Sequence, residues 1–268
     1  MKKETIGLIG GGQMGEALVR GMINSGLVPA GRIMVAEPDG KRRDSLSQTY
    51  QVKVTDIAEP LCDFASVLIL AVKPQIIRPV LAQYKVFVGS NHLLISIAAG
   101  VPISAIEREI GRQRIIRVMP NTPALVLAGA SALSPNEQAS AEDLQLGMKI
   151  FSAIGTCVHL PESLLDAVTG LSGSGPGYVF TFIEAMIDGG VLAGIPRPVA
   201  EQLVLQTVYG SAKLALETGK PPAVLKGMVT SPGGTTIAGL HVLEEAGMRG
   251  AIMTAVDRAG KRSKELGS

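Results

Sequence analysis

The sequence predicts two domains, an α/β domain on a doubly wound parallel sheet and then an all-helical domain. Three observations predict this. A glycine-rich turn near the N-terminus joins an apolar strand pattern to a helical pattern. Short apolar runs then alternate with helical patterns through the first half of the chain. Beyond Pro161 no alternating strand pattern recurs. We therefore expect the α/β domain over residues 1–160 and the all-helical domain over residues 161–268.

The first element is a strand over 6–9 that ends at a glycine-rich turn. Gly10, Gly12 and Gly15 fit the spacing G-x-G-x-x-G between a strand and a helix. Gly10 permits the tight turn, Gly12 lets a pyrophosphate approach the backbone, and Gly15 lets the helix pack close to the strand. The helix start offers free N–H groups to phosphates. The turn therefore predicts a Rossmann-like dinucleotide-binding domain, the alternative being a glycine-rich turn with no ligand.

The remaining strands follow in order along the first domain. Ser140, with Asp143 three residues later, predicts the start of a helix that runs to about Ser152 between the last two strands. Fully apolar runs are typical of strands buried on both faces of a parallel sheet. The expected strands are 6–9, 33–36, 52–54, 67–72, 93–97, 115–119, 129–133 and 156–159.

Three of these strands end in loops that suit a ligand. Lys73-Pro74 follows the fourth strand, Ala98-Ala99-Gly100 follows the fifth, and Pro120-Asn121-Thr122-Pro123 follows the sixth. Ligands of open α/β sheets bind at the carboxyl ends of the strands. We therefore expect one shared ligand cleft at this edge.

The second strand ends at Glu37, about twenty residues after the last glycine of the turn, where an acidic side chain accepts from a ribose 2′-hydroxyl. That position favours NAD. Lys41, Arg42 and Arg43 follow at once, and they could clamp the 2′-phosphate of NADP or form a solvated helix face. The sequence leaves the choice between NAD and NADP open.

The second domain is expected to contain five helices. The first follows a small-residue turn over Leu171–Gly177, and its only charged side chains are Glu184 and Asp188. A helix this apolar needs cover on most sides, so we infer a homo-oligomer; the alternative is the central helix of a monomeric bundle. The expected helices are 176–192, 198–217, 222–228, 236–246 and 248–266.

A second glycine-containing loop, Thr230–Thr236, opens the fourth of these helices. Its Gly233-Gly234 pair is flanked by hydroxyl residues. Free N–H groups at this helix start can bind an anion such as a carboxylate. The alternative is simple capping of the helix by Ser or Thr.

Composition excludes several classes of protein. Of 268 residues, 46% are hydrophobic and 18% charged, and the net charge is +2, which fits a globular chain rather than a disordered or nucleic-acid-binding one.

Two cysteines, Cys62 and Cys157, form no disulfide or zinc pattern and fit a reducing cytoplasm. No membrane span and no metal site are expected. His92, His159 and His241 are scattered, so no acid–base pair is evident.

Five stretches carry a resemblance that covers essentially the whole chain. Together they resemble the Δ1-pyrroline-5-carboxylate reductases, which catalyse the last step of proline biosynthesis. Gly177 departs from the alanine that is usual there, and Glu37 from a small polar residue. The matching stretches are Ile9–Ala17, Ala71–Gln75, Arg117–Pro123, Leu171–Pro176 and Ser231–Ile237, with further matches in the C-terminal tail.

The resemblance implies an oxidoreductase that transfers hydride from NADPH or NADH to the cyclic imine L-1-pyrroline-5-carboxylate, giving L-proline. It implies dimers formed by the helical domain, a substrate carboxylate on the second glycine loop, and Thr236 as the hydroxyl nearest the imine nitrogen. The lack of an evident acid–base pair fits this reaction, because the nicotinamide supplies the hydride. With Glu37 added from its spacing, the expected cofactor residues are Gly10, Gly12, Gln13, Met14, Gly15, Glu37, Ala71, Val72, Lys73, Pro74, Ala98 and Asn121; the expected substrate residues are Ser231, Gly233, Gly234, Thr235 and Thr236.

Two other functions stay open from the sequence. A reductase acting on another imine or a 3-hydroxy acid shares this layout, and the hydroxy-acid enzymes need a lysine, for which Lys213 and Lys226 are the candidates. A redox-sensing NAD(P)-binding regulator would bind cofactor without turnover, but would leave the hydroxyl-rich second loop unexplained.

Overall fold

The computed structural model describes residues 4–267. These residues divide into two compact units, one comprising 4–174 together with 257–267 and the other comprising 175–256. The division follows spatial contacts, and the expected sequence boundary between residues 160 and 161 stays a prediction.

The first unit is built on one eight-stranded sheet with the order β3-β2-β1-β4-β5-β6-β7-β8. This order winds outward from β1 in both directions, which confirms the doubly wound, Rossmann-like fold. All expected strands are present, with ends that differ by no more than two residues. The strands are β1 (Ile6–Ile9), β2 (Ile33–Ala36), β3 (Lys53–Thr55), β4 (Val67–Leu70), β5 (Leu93–Ser96), β6 (Arg114–Met119), β7 (Gly129–Pro135) and β8 (Gly155–His159).

One pair of strands departs from the parallel pattern. β6 and β7 are antiparallel, whereas the other neighbouring pairs are parallel. The connection between them holds only a 3₁₀ turn, Thr122–Val126. A parallel return needs a crossover of a dozen or more residues, so this short link reverses the strand direction. β8 is parallel to β7 because a full helix connects them.

Helices cover both faces of the sheet. The capping box of Ser140 and Asp143 at the start of α6 is present as expected. The helices are α1 (Gln13–Asn24), α2 (Gly40–Tyr50), α3 (Ala58–Phe64), α4 (Ile77–Tyr84), α5 (Ile103–Ile110), α6 (Ala141–Ser152) and the short α7 (Leu165–Val168).

The core lies in two layers, one on each side of the sheet. In β4, Val67 and Ile69 belong to the layer covered by α1 and α6, while Leu68 and Leu70 belong to the layer under α3, α4 and α5. Side chains of a strand alternate between faces, so an unbroken apolar run buries residues on both sides. This packing holds the carboxyl ends of the central strands at one edge.

The expected turn over Leu171–Gly177 is wrong. Residues Thr169–Gly173 form a π-helical turn that continues from α7, and the next helix begins at Gly175. The hydroxyls of Thr169 and Ser172 donate to the carbonyl oxygens four residues earlier, at 2.9 and 3.2 Å. Small polar residues are typical of turns, but here these hydroxyls find acceptors within the helical backbone.

The five helices expected in the second half are confirmed, each within one residue at either end. They are α8 (Gly175–Leu192), α9 (Arg197–Thr218), α10 (Pro222–Met228), α11 (Thr235–Glu245) and α12 (Met248–Gly267). Gly219 ends α9 in the left-handed conformation, with φ of 62°. No strand lies between 163 and 267. Among the helices of residues 4–267, none is both long and apolar enough to span a membrane.

Candidate active site

The glycine-rich turn between β1 and α1 is shaped by two close backbone contacts. Gly10 has φ of +106°, and a Cβ built on it would lie 2.7 Å from the carbonyl oxygen of Ala71. A Cβ on Gly15 would overlap the carbonyl oxygen of Gly10. Both positions therefore require glycine, one for the turn and one for the approach of helix to strand.

Gly12 has a different role, because the space beside it is open. Its backbone is extended, and no atom lies within 4 Å of the Cβ that it lacks. It is the N-cap of α1, and no side chain caps this helix start. Amide N–H groups of the first turn and the positive end of the helix dipole thus face open space, which suits a pyrophosphate. Gln13 is exposed and Met14 is half-buried against the core.

Glu37 lies at the end of β2, directly beside this turn. Its Oε2 accepts a hydrogen bond from the amide of Gly11 at 2.8 Å, and its Oε1 accepts from the amide of Asp39 at 3.1 Å. The carboxylate is thereby fixed next to the backbone of the glycine-rich turn. An acceptor in this place suits the hydroxyls of a ribose.

Arg42 is held on the other side of the turn by an acidic partner. Its Nε donates to the carbonyl oxygen of Gly11 at 2.7 Å, and its Nη2 forms an ion pair with Glu16 at 2.5 Å. The hydroxyl of Tyr50 donates to the same carboxylate at 2.8 Å. Burial opposes ionisation of Glu16, but the hydrogen bonds from Arg42 and Tyr50 and the charge of Arg42 outweigh it and lower the pKa of its carboxyl.

The expected basic helix face is thus only partly solvated. Arg43 forms an ion pair with Asp56 at 3.0 Å and donates to the carbonyl oxygen of Glu37 at 2.6 Å. Lys41, one position earlier, is exposed. Two of the three cations near the turn are therefore paired with acids of the same unit.

The strand-end residues expected to bind cofactor lie at the same edge of the sheet. The amide of Ala71 donates to Ile9 at 2.8 Å, which places the end of β4 beside the glycine-rich turn. Ala71, Val72 and Pro74 are half-buried, Lys73 is exposed, and Ala98 is buried. A cavity of about 700 Å³ borders Pro74 and Gly100 in this unit, a size typical of small-molecule sites.

Asn121, also expected at this edge, has a structural task. Its Oδ1 accepts from the amide of Ala130 at 2.8 Å, and its Nδ2 donates to the carbonyl oxygen of Ser172 at 3.1 Å. These bonds tie the loop after β6 to β7 and to the π-helical turn. They position the loop whether or not the side chain also contacts a ligand.

The second candidate site is the start of α11 in the other unit. Gly234 is its N-cap, with no side-chain hydrogen bond to the first turn, so the simple capping alternative is not observed. Gly233 has φ of +65°, and a Cβ on Gly234 would overlap the hydroxyl oxygen of Ser231. The hydroxyl of Thr236 is on a half-buried residue of this first turn. An uncapped helix start lined by hydroxyls suits a carboxylate.

The helices of the second unit leave an extensive apolar surface exposed. Of residues 175–256, only Ala200 and Val204 are buried. Apolar surface of this extent indicates an interaction site. The exposed large side chains include Phe180, Phe182, Leu203, Leu205, Tyr209 and Leu216.

Comparison with known proteins adds independent evidence on the family. A model described as pyrroline-5-carboxylate reductase dimerisation matches residues 162–266, and one described as NADP oxidoreductase coenzyme F420-dependent matches residues 5–100. The pyrroline-5-carboxylate reductase of Methanosarcina acetivorans is 50% identical over all of this chain and 99% of its own length. That of Escherichia coli is 42% identical over 98% of both chains.

The chain belongs to the pyrroline-5-carboxylate reductase family. Solved structures agree: a pyrroline-5-carboxylate reductase from Coxiella burnetii superposes with a TM-score of 0.94 at 36% identity over 99% of both chains. The Plasmodium falciparum enzyme, solved with NADP bound, superposes with a TM-score of 0.89 at 34% identity over the full length of both. Members of this family are oxidoreductases that reduce L-1-pyrroline-5-carboxylate to L-proline with NADH or NADPH.

Lys213 and His92, which were considered above for other chemistry, both have polar partners in this reductase. Lys213 is exposed and lies 3.7 Å from Glu217. His92 is buried, with Nδ1 accepting from the Gly89 amide and Nε2 bonded to the carbonyl oxygen of Cys62. Among residues 4–267, no three His, Cys, Asp or Glu side chains are grouped to hold a metal.

Sequence reasoning missed one buried charge cluster of this reductase. Arg117 of β6 is buried and forms ion pairs with Glu162 and Asp166, both at 3.2 Å, while the hydroxyl of Ser263 donates to Asp166 at 2.8 Å. A lone arginine inside an apolar strand is the signal that could have found it, because a buried charge needs partners. The cluster fastens the end of α12 to β6 within the first unit.

Proposed function

We propose that this chain reduces L-1-pyrroline-5-carboxylate to L-proline, with the pyrophosphate of NADH or NADPH on the first turn of α1. The reaction is supported by the relatives of the chain, and the place of the pyrophosphate by the open, uncapped helix start beside Gly12. The cofactor supplies the hydride when bound. The residues Gly10, Gly12, Gln13, Met14 and Gly15 bind and orient it.

The strand ends complete the proposed cofactor site. Ala71, Val72, Lys73 and Pro74 line it at the end of β4, and Ala98 leaves room at the end of β5. Small or half-buried residues here allow a flat ring to lie against the backbone. Asn121 fixes the neighbouring loop through its two hydrogen bonds.

The substrate carboxylate is proposed to bind at the start of α11. Gly233, Gly234 and Thr235 present backbone N–H groups, and Ser231 and Thr236 add hydroxyls. Free N–H groups and the helix dipole both favour an anion there. Fixing the carboxylate orients the ring and with it the imine carbon that accepts the hydride.

Thr236 is the proposed catalytic residue. A hydride added to the imine carbon turns the C=N⁺ of the protonated imine into an amine, so the charge on the ring nitrogen changes during the reaction. A hydroxyl beside that nitrogen stabilises the change. Further acid–base groups are unnecessary, since a protonated imine already accepts hydride readily.

A homodimer or larger homo-oligomer is proposed for the helical domain. The exposed apolar side chains of residues 175–256 support this, as does the match of residues 162–266 to a dimerisation model. A second copy of the chain offers the same apolar surface. We propose a cytoplasmic location, supported by two free cysteines. Besides further copies of the chain, the proposed partner is the small-molecule substrate.

Removing single hydroxyl groups by Thr→Val substitution tests the role of Thr236. We expect Thr236→Val to lower kcat/KM for L-1-pyrroline-5-carboxylate about a hundredfold, the low end of proton-transfer effects, while the Kd for NADH stays unchanged. The matched control is Thr254→Val, because the hydroxyl of Thr254 is already bonded to the Gly250 carbonyl at 2.8 Å. Equal activity of the Thr236 variant and the control would remove Thr236 from the mechanism.

A further inference from the structure

We propose that Glu37 makes this site select NADH over NADPH, and that Glu16 and Tyr50 reinforce the choice by holding Arg42 in place. The inference rests on the proposed binding of the cofactor at the glycine-rich turn. It concerns the adenosine end of the dinucleotide, which is remote from the hydride.

The Glu37 carboxylate is held in a fixed position. Both of its oxygens accept from backbone amides, of Gly11 at 2.8 Å and of Asp39 at 3.1 Å. An amide bond uses one lone pair, so each oxygen retains capacity to accept from a ribose hydroxyl. A carboxylate cannot donate, and therefore has nothing to offer a phosphate.

The Glu37 carboxylate would also repel the 2′-phosphate of NADPH. A 2′-phosphate carries between one and two negative charges near neutral pH. Like charges held close together at a protein surface repel each other more strongly than in bulk water. We therefore expect the unphosphorylated ribose to bind at least tenfold more tightly, which is equivalent to about 1.4 kcal/mol.

The neighbouring arginines already have acidic partners. Arg42 is bonded to the Gly11 carbonyl and paired with Glu16, and its side chain is only 29% exposed. Arg43 is paired with Asp56 and bonded to the Glu37 carbonyl. To clamp a 2′-phosphate, Arg42 must leave a carboxylate that it already neutralises.

Tyr50 strengthens this restraint. Its hydroxyl donates to Glu16 Oε1 at 2.8 Å while Arg42 occupies Oε2, so both carboxylate oxygens have partners. The carboxylate stays ionised at neutral pH in this setting. The pair of Glu16 and Tyr50 thus anchors Arg42 from the side of α1 and the end of α2.

The test uses two nucleotides that lack nicotinamide, so its readout is independent of turnover. Calorimetry on the full chain gives the Kd of ADP-ribose and of 2′-phospho-ADP-ribose. We expect ADP-ribose to bind at least tenfold more tightly. Glu37→Gln keeps the shape and adds a donor, so we expect it to bring the ratio close to one. Adding Glu16→Gln frees Arg42, and we expect the double variant to prefer the phosphorylated nucleotide.

The control is Asp44→Asn, which removes one exposed negative charge from α2, the helix that carries Arg42. We expect this variant to leave the ratio of the two Kd values unchanged. Retained ADP-ribose binding shows that each variant is folded. A ratio that Glu37→Gln leaves within twofold of the original overturns the role of Glu37, and a double variant no different from the single one overturns the restraint on Arg42. If neither nucleotide binds the original chain, the proposed cofactor site fails and the inference fails with it.

Discussion

Replacing Gly10 or Gly12 of the first turn by alanine is expected to have different effects. The Gly10 variant should lose stability, and the Gly12 variant should lose affinity for the cofactor. Gly10→Ala places a Cβ 2.7 Å from the Ala71 carbonyl oxygen at a φ of +106°, while Gly12→Ala places one in open space with an extended backbone. The first change disturbs the folded chain. The second disturbs only the space that a pyrophosphate would occupy.

The magnitudes follow from these contacts. At Gly10 the backbone conformation costs an alanine about 1–3 kcal/mol, and overlap with a backbone atom costs about as much again. We expect Gly10→Ala to lower the free energy of unfolding by at least about 2 kcal/mol. At Gly12 only the weaker N-cap preference of alanine applies, at under about 1 kcal/mol. The Kd of Gly12→Ala for NADH should rise at least tenfold, equivalent to about 1.4 kcal/mol.

Urea denaturation and NADH titration, both at one fixed protein concentration, measure the two effects separately. The concentration is fixed because oligomer stability depends on it. A Gly12→Ala variant that binds NADH as tightly as the original chain would refute the placement of the pyrophosphate at α1. A Gly10→Ala variant of unchanged stability would refute the account of the turn.

Three further predictions concern other parts of the molecule. Phe180→Asp puts a charge on the apolar surface of α8, where Phe180 is 63% exposed. We expect it to reduce the molar mass of the oligomer measured by light scattering. Val126→Asp, at a 74% exposed site of the first unit, should leave this mass unchanged. Burial raises the pKa of the Cys62 and Cys157 thiols to about 11, so a disulfide reagent at pH 8 should modify both far more slowly in the native chain than in urea, and fast native labelling would contradict this. Asn121→Ala leaves the amide of Ala130 without its partner. We expect the free energy of unfolding, measured by urea denaturation, to fall by about 1–3 kcal/mol. An unchanged free energy of unfolding would contradict the proposed role of this hydrogen bond.

Much of the fold could be predicted because its signals are local. The apolar run of β4 alternates between two core layers, and Ser140 with Asp143 forms the capping box that their spacing predicts. The turn expected near Leu171 was wrong because hydroxyls of Thr169 and Ser172 bond back to helix carbonyls, which composition does not reveal. The antiparallel β7 depends on the length of its connection and not on residue type.

The candidate site also has a part that the sequence predicts and a part that it does not. Glycine spacing predicted the shape of the first turn, since each glycine contact involves the turn itself or the adjacent strand end. The bonds from Arg42 and Tyr50 to Glu16 could not be predicted, because Glu16 is far from both in sequence and meets them only after the sheet forms. Sequence alone showed a basic cluster, and the structure shows that two of its three cations, Arg42 and Arg43, are already paired with acids.

The most direct test of the proposed function is one steady-state assay. L-1-pyrroline-5-carboxylate is added to the chain with NADH or NADPH, the loss of nicotinamide absorbance is followed, and the product is identified by chromatography. We expect one L-proline for each reduced cofactor consumed. Cofactor binding without L-proline formation would contradict the central claim and favour another imine substrate, or a regulator that binds cofactor without turnover.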